Sequence, residues 1–546
     1  MTRDANYWGR VWKKRVSRRR VLGAAGLAWA GVAAGATVGC AGKEGAPPEG
    51  TAGVKTTATA SAEEPVYGGH LRECETYSPT TLDSHMSIAA ADLPFFWPIY
   101  DSLLTHSPED GSPAPQLAES WETSPDDLAY TLRLKRGVTF HDGTLFNAEA
   151  TRYNFDRLMA PDTASPVAAG LVDMDRWEVI DEATFRVTLK EPYAPFLLSL
   201  DGGLGMVMSP TALEKLGKDI TLQPVGTGPF RFEERVVGDH VTYTRYENYW
   251  DPTLPYLDKA TIRSVPDPTV MFTELRTGGA DLVVNIPLDK VEGEKQKGEI
   301  RVVSFPHSTF IQLIFNCTNG VMQDERLRKA VSLAIDREAL CKALYSGVGA
   351  PMDQLLTPLT WAYDDSLDGY RYDPQEARRL MEAAGVGDGF EFTMPAFNSL
   401  ENDATAVATQ LRDIGVKVNL RSLELGQAMA ELMGGKFDVA LFAEISAADP
   451  HTYFSTYYDY EGNKRANAYV RNEDPALLEL IKKAVRVTDR EERKALYSQA
   501  QRILLDKVYQ ASLWQQGRAR GMTWKVGGFV VWADRRNHVR DLWLMS

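Results

Sequence analysis

The sequence predicts an α/β protein with more than one lobe, and three observations lead there. Strand-like alternation and helix-like periodicity follow one another along the chain, the pattern of mixed α/β lobes. Glycines and Asp-Pro pairs fall where helices should stop and start. About 480 residues lie beyond the first 65, too many for one small core, which divides them into two or three lobes.

The clearest run of elements is 400–443. Ala404, Val407, Ala408, Leu411 and Ile414 recur at helical spacing, and Gly415 stops the helix. Val416, Val418 and Leu420 then alternate as a half-buried strand. A second helix through Ala428, Leu432 and Met433 ends at Gly434-Gly435, before an apolar strand from Phe437 to Ala443. Asp373-Pro374 and Asp474-Pro475 each open a helix, with Asp as cap and Pro in the first turn. No repeat of 20–50 residues and no heptad run occurs, which excludes solenoids and coiled coils.

The N-terminus reads as an export signal followed by a spacer. Ser17-Arg18-Arg19-Arg20-Val21-Leu22-Gly23 is a twin-arginine pattern, and Val21 to Val38 runs without a charge. Thr37-Val38-Gly39-Cys40 closes it as a lipobox-like cleavage site, with Cys40 the lipid-attachment residue. A membrane-spanning anchor is the alternative, but the segment is mostly Ala and Gly. Residues 1–39 form the signal, and residues 40–66, rich in Ala, Gly, Thr, Pro and Glu, form a flexible tether that cannot bury a core.

Charge separates along the chain. Residues 1–39 carry +7 and the remainder −21. An acidic body excludes nucleic acid and a polybasic membrane surface as partners. With Cys40 committed, Cys74, Cys317 and Cys341 remain, so at most one disulfide forms; Cys317–Cys341 and buried free thiols are both open.

The order of motifs resembles the family 5 extracytoplasmic solute-binding proteins of ABC importers, which bind oligopeptides, dipeptides or nickel. The match begins with Pro115-Gln116-Leu117-Ala118-Glu119-Ser120-Trp121 and continues from Tyr130 to Gly143. Gly226-Thr227-Gly228-Pro229-Phe230, Tyr246-Glu247-Asn248-Tyr249-Trp250, Arg326 to Arg337, Tyr372-Asp373-Pro374 and Asp449-Pro450 follow in order. The glycine-rich Gly226–Phe230 segment lacks the Lys-Ser/Thr of a nucleotide loop and reads as a turn. The resemblance implies a two-lobed periplasmic-binding-protein-like fold with a hinge. Lobe I would span 67–308, enlarged by a subdomain around 100–200, lobe II 309–516, and 517–546 would return to lobe I. Chain crossings are expected near 306–310 and 516–520. Ligand would be enclosed by hinge closure.

The expected function is therefore an exported, monomeric receptor, lipid-anchored at the outer face of the cell membrane or lying in the periplasm. It would capture a solute, foremost an oligopeptide, and deliver it to an ABC permease, with no cofactor. The same receptor for a cationic compound, sugar or nickel chelate is the alternative, as is an exported hydrolase or a sensory module. No Gly-x-Ser-x-Gly elbow or His-Glu-x-x-His helix supports catalysis. His307 and His451 could meet a chelate, and Asp364–Gln375 mimics a calcium loop without its bidentate Glu.

Dipeptide binders carry an amine-binding Asp just before the late Asp-Pro and an Arg for the carboxylate. Here the Asp position falls on Ser446 and the stretch Ala396-Phe397-Asn398-Ser399 holds no cation. A buried ammonium or carboxylate needs an opposite charge, so free dipeptides are poor ligands for this chain. Glu444 could take over an amine. The candidate ligand-binding residues are Phe95, Trp97, Phe397, Asn398, Glu444, Ser446, Tyr453 and Trp514, with Tyr457 a further aromatic; no metal-binding or catalytic residue is expected.

Overall fold

The computed structural model describes residues 64–545, apart from 108–109, 172, 447–448, 464–465, 467–468, 472 and 532–537. The export signal, Cys40 and residues 40–63 of the tether lie outside the described residues. No described helix is long and apolar enough to cross a membrane.

An 11-stranded sheet runs through the molecule. Six of its strands surround the centre: β1 (His70–Glu75), β2 (Arg301–Phe315), β3 (Phe390–Phe397), β4 (Val416–Leu423), β5 (Val439–Ile445) and β6 (Gln510–Met522). The order is β4-β3-β5-β2-β6, then Leu282–Val283, β1, Lys259–Ser264, His240–Arg245 and Phe230–Val236. β3 pairs in parallel with β4 and β5, the arrangement that strand–helix–strand crossovers produce. β2 and β6 are long antiparallel neighbours of 15 and 13 residues. Their register runs from Arg301↔Met522 to Pro306↔Gly517, breaks, and resumes at Phe310↔Gln515. Pro306 has no N–H to give the ladder, which suits it to such a break.

The apolar cores divide along this line. Three clusters draw on residues 71–300 and 519–542. Two others are built from 310–514. A separate four-stranded antiparallel sheet, Ala118–Thr123, Ala129–Leu134, Thr184–Leu189 and Met174–Asp181, carries the core of the 100–200 region. Tyr130, Leu132 and Leu134 point to its buried face as their alternation implies.

Local signals account for most element ends. Asp373 accepts from Glu376 N–H and Asp474 from Leu477 N–H, each with Pro following. The helix expected from 404 runs Glu401–Arg412, and Gly415 follows with a φ of 89°, the left-handed region that favours glycine. The strand expected from Phe437 begins at Val439 instead, where pairing with Phe315 starts. The Gly226–Pro229 segment is a tight bend against Ile99; a Cβ on Gly226 would lie 2.2 Å from the Ile99 carbonyl oxygen. It holds the backbone close rather than cradling a ligand. Cys74, Cys317 and Cys341 are free thiols, each pushed up by burial, Cys74 and Cys317 to about 11 and Cys341 to about 12.

Candidate functional site

β5 is apolar and buried over its first three residues, between strands on both sides, and the burial relaxes from Phe442 onward. Val439, Ala440 and Leu441 are buried, whereas Ile445 is 49% exposed. Antiparallel register with β2 sets Glu444 opposite Phe310 and Phe442 opposite Gln312. Beyond the strand, Asp449 caps the helix α1 (Pro450–Tyr458) by accepting from His451 N–H. Its carboxylate is also gripped by Arg493 through two hydrogen bonds of 2.8 Å. The late Asp-Pro motif is thus a helix cap fused to a buried ion pair.

Three candidates gather at the β5 end. Half-buried Glu444 accepts from the Tyr457 hydroxyl at 2.5 Å and from Ile445 N–H at 2.9 Å. The Ser446 hydroxyl meets that of Thr360 at 2.9 Å, and its N–H donates to Ser308 O. Tyr453 stacks on Tyr457 with ring centroids 4.7 Å apart and donates its hydroxyl to Gln312. Ser446 and Tyr453 line one small cavity. Phe397 is buried edge-on to Phe442, and exposed Asn398 donates to Glu424 at 2.6 Å.

The remaining candidates lie elsewhere. Trp514 is fully buried on β6, and its indole N–H donates to Asp403. Phe95 is fully buried in the other core, its carbonyl receiving the Tyr243 hydroxyl. Trp97 lies against the His538 ring at 4.8 Å and lines a separate cavity with Gln116, Asp201 and Arg540. Among the described residues no group of three or more His, Cys, Asp or Glu is placed to hold a metal. His307 bonds Thr309, and Asp364 accepts from Ser366 and Ser498, which commits the calcium-like loop to structure.

Sequence reasoning missed the residues that bridge the 100–200 region to two late helices. Two helices, α2 (Pro475–Arg486) and α3 (Arg490–Lys507), meet at a turn that touches the 100–200 region. Ala194 N–H donates to Val485 O at 2.8 Å, and Arg486 donates to Pro192 O and pairs with Glu191. Thr488 donates to Asp127, and Arg490 bonds both the carboxylate and the carbonyl of Asp110. Tyr193 lies edge-on to His451 at 5.9 Å. Burial lowers His451 to about 4, with Asp449 and Asp459 opposing and Arg493 and Arg486 reinforcing the shift. Its Nδ1 is buried and has no hydrogen-bond partner among the described residues. No local pattern marks these groups, since Arg486 and Pro192 stand 294 positions apart.

Two lobes are thus joined by paired strands and bridged by contacts between the 100–200 region and the α2–α3 turn, with a carboxylate at one strand end. Residues 112–465 match the family described as "Bacterial extracellular solute-binding proteins, family 5 Middle". The glutathione-binding protein GsiB of Pectobacterium atrosepticum is 31% identical over 77% of this chain and 83% of its own length. GsiB of Salmonella typhimurium is 32% identical over 73% and 79%. Among solved structures, the periplasmic binding protein DppA of Helicobacter pylori, in complex with the peptide STSA, superimposes with a TM-score of 0.76 at 26% identity. It covers 88% of this chain and 98% of its own. NikA of Brucella suis, in complex with Fe(III)-EDTA, has a TM-score of 0.80 at 24% identity over 87% and 100%, a likeness of fold.

The chain belongs to the family 5 bacterial extracellular solute-binding proteins. It is a substrate-binding protein of an ABC importer, working outside the cytoplasm with a membrane permease, and not an enzyme.

Proposed function

We propose that this protein captures a short peptide of the glutathione class between its lobes and delivers it to the permease while tethered through Cys40. The observation that carries the peptide reading is the Glu444 carboxylate, held by the Tyr457 hydroxyl at the open end of β5. A carboxylate fixed in a partly desolvated position offsets the burial of a peptide ammonium, the role that Ser446 is too neutral to fill. The 31–32% identity to glutathione-binding proteins supports the same class. Lobe I is taken as 67–308 with 517–546, lobe II as 309–516. The hinge is placed where β2 and β6 lose register, between Pro306 and Phe310. The twin-arginine pattern and Cys40 support export and lipid anchoring, and the protein is expected to act as a monomer.

A calorimetric panel tests this. Glutathione, tri- to hexapeptides, dipeptides, oligosaccharides, cationic amino-acid derivatives and nickel chelates are titrated into the purified protein. Binding of glutathione or longer peptides is expected; binding only of sugars or chelates discards the peptide. For the anchor, Cys40→Ser is expected to release the protein from the membrane fraction, and retention there refutes lipidation at Cys40.

A further inference from the structure

One indole lies under two arginines. The guanidinium carbons of Arg490 and Arg493 each stand over the Trp361 ring, 5.1 Å from its centroid. Three positions apart, they share a face of the first turn of α3, so one flat ring reaches both. Their duties differ. Arg493 is buried and fixed by Asp449 and by Ala484 O. Arg490 is 39% exposed and carries the bond to the 100–200 region, at 3.3 Å to the Asp110 carboxylate and 3.0 Å to its carbonyl.

Both ends of that bond are prepared. Trp361 is half-buried against an apolar core cluster and meets Tyr497 edge-on at 6.2 Å. Its chain neighbours are tied down on either side. Thr360 meets the Ser446 hydroxyl at 2.9 Å, and Asp364 accepts from Ser498 of α3 at 2.5 Å. Across the gap, one carboxylate oxygen of Asp110 receives the N–H and the hydroxyl of Ser112, at 3.0 and 2.8 Å. The other oxygen faces Arg490.

An arginine on a surface has many rotamers, and a bond across two lobes must give them up each time it forms. Cation–π attraction to a fixed indole removes much of that freedom beforehand. Preorganisation of this kind strengthens an association without adding a contact to it. Resting on capture between the lobes, whichever solute is captured, we propose that Trp361 is a positioning residue. It holds Arg490 in the rotamer that meets Asp110 and so slows release of the enclosed solute. It acts through Arg490 and needs no contact with that solute.

The test is a double-mutant cycle on the purified full-length protein with glutathione as the probe, read by calorimetry and stopped-flow. Trp361→Leu should weaken glutathione about two- to fivefold, the size of an exposed cation–π contact. The loss should lie in faster dissociation, with association unchanged within about twofold. In an Arg490→Ala or Asp110→Ala background, Trp361→Leu should add nothing, because the bond it serves is already gone. Trp361→Met fills the space without a ring face and should behave alike, so it replaces a leucine variant that fails to fold. An equal loss in those backgrounds, or a loss that lies in slower association, overturns the role and leaves Trp361 a packing residue. If another member of the panel binds and glutathione does not, the peptide reading fails, and the same cycle with that member decides the role of Trp361.

Discussion

Arg493 and Asp449 face each other through two hydrogen bonds of 2.8 Å, with side chains only 6% and 5% exposed. The same guanidinium donates to Ala484 O, so one arginine ties α3, the end of α2 and the N-terminus of α1 together. Removing one partner strands a buried charge. Arg493→Ala is expected to lower unfolding stability by about 3–5 kcal/mol. Asp449→Asn keeps the cap and should cost less. Urea denaturation midpoints of the two variants check the order; equal losses would contradict it.

The bridge between the 100–200 region and the α2–α3 turn should favour closure. Arg486 and Arg490 are 38% and 39% exposed, so each pair contributes little alone, about 0.2–1 kcal/mol. The double variant Arg486→Ala/Arg490→Ala should bind ligand roughly two- to thirtyfold more weakly, by the sum of those terms. The wild-type protein should lose affinity as salt rises, and the double variant should not. Calorimetry at two ionic strengths reads both effects.

Glu444 and Tyr457 should separate by magnitude. Glu444→Gln removes the charge and is expected to weaken a peptide with a free ammonium about 10- to 100-fold. Tyr457→Phe leaves the charge but frees its orientation, so a smaller loss follows. An N-acetylated peptide should be indifferent to both. If the acetylated form loses as much as the free amine, Glu444 does not meet the ammonium.

Affinity should fall in mild acid. Burial lowers His451 to about 4 in the bridged structure, from an ordinary 6.5. Opening withdraws the Tyr193 ring from His451, so the opened form should take up a proton at a higher pH than the bridged form. Closure is therefore favoured fully above pH 6.5 and progressively less as pH falls towards 4. Asp449, Asp459, Arg493, Arg486 and the Tyr193 ring are the groups that face it. Affinity should be lower at pH 5.5 than at pH 7.5, by at most about tenfold, and His451→Gln should flatten the difference. His85 and His141 are also lowered to about 4 by burial, but each is bonded within one lobe. They should steepen the acid dependence of unfolding without touching that of binding.

Local chemistry was legible where it was self-contained. Asp373-Pro374, Asp474-Pro475 and Gly415 act within a turn of themselves, so their roles survive in sequence. Glu444 was legible as a candidate because it is the carboxylate next to the position where the expected aspartate is missing. Thr360 was not, because it reaches Ser446 across 86 positions, and a threonine in a loop carries no periodic signal. Trp514 shows the converse limit. An aromatic on a strand looks equally suited to a ligand or a core, and only the covering of both faces of β6 decides that it is interior.

The position of β6 also dictates when this protein can fold. Residues 510–522 lie between β2 and the Leu282–Val283 strand, and Leu544 lies against Gly69 at the entrance to β1. A ribosome that has released the first 500 residues has therefore made an incomplete sheet with its middle missing. Open strand edges of that kind recruit other chains. Assembly must await the last few dozen residues, and a nonsense mutation near the C-terminus should be as damaging as one near the beginning.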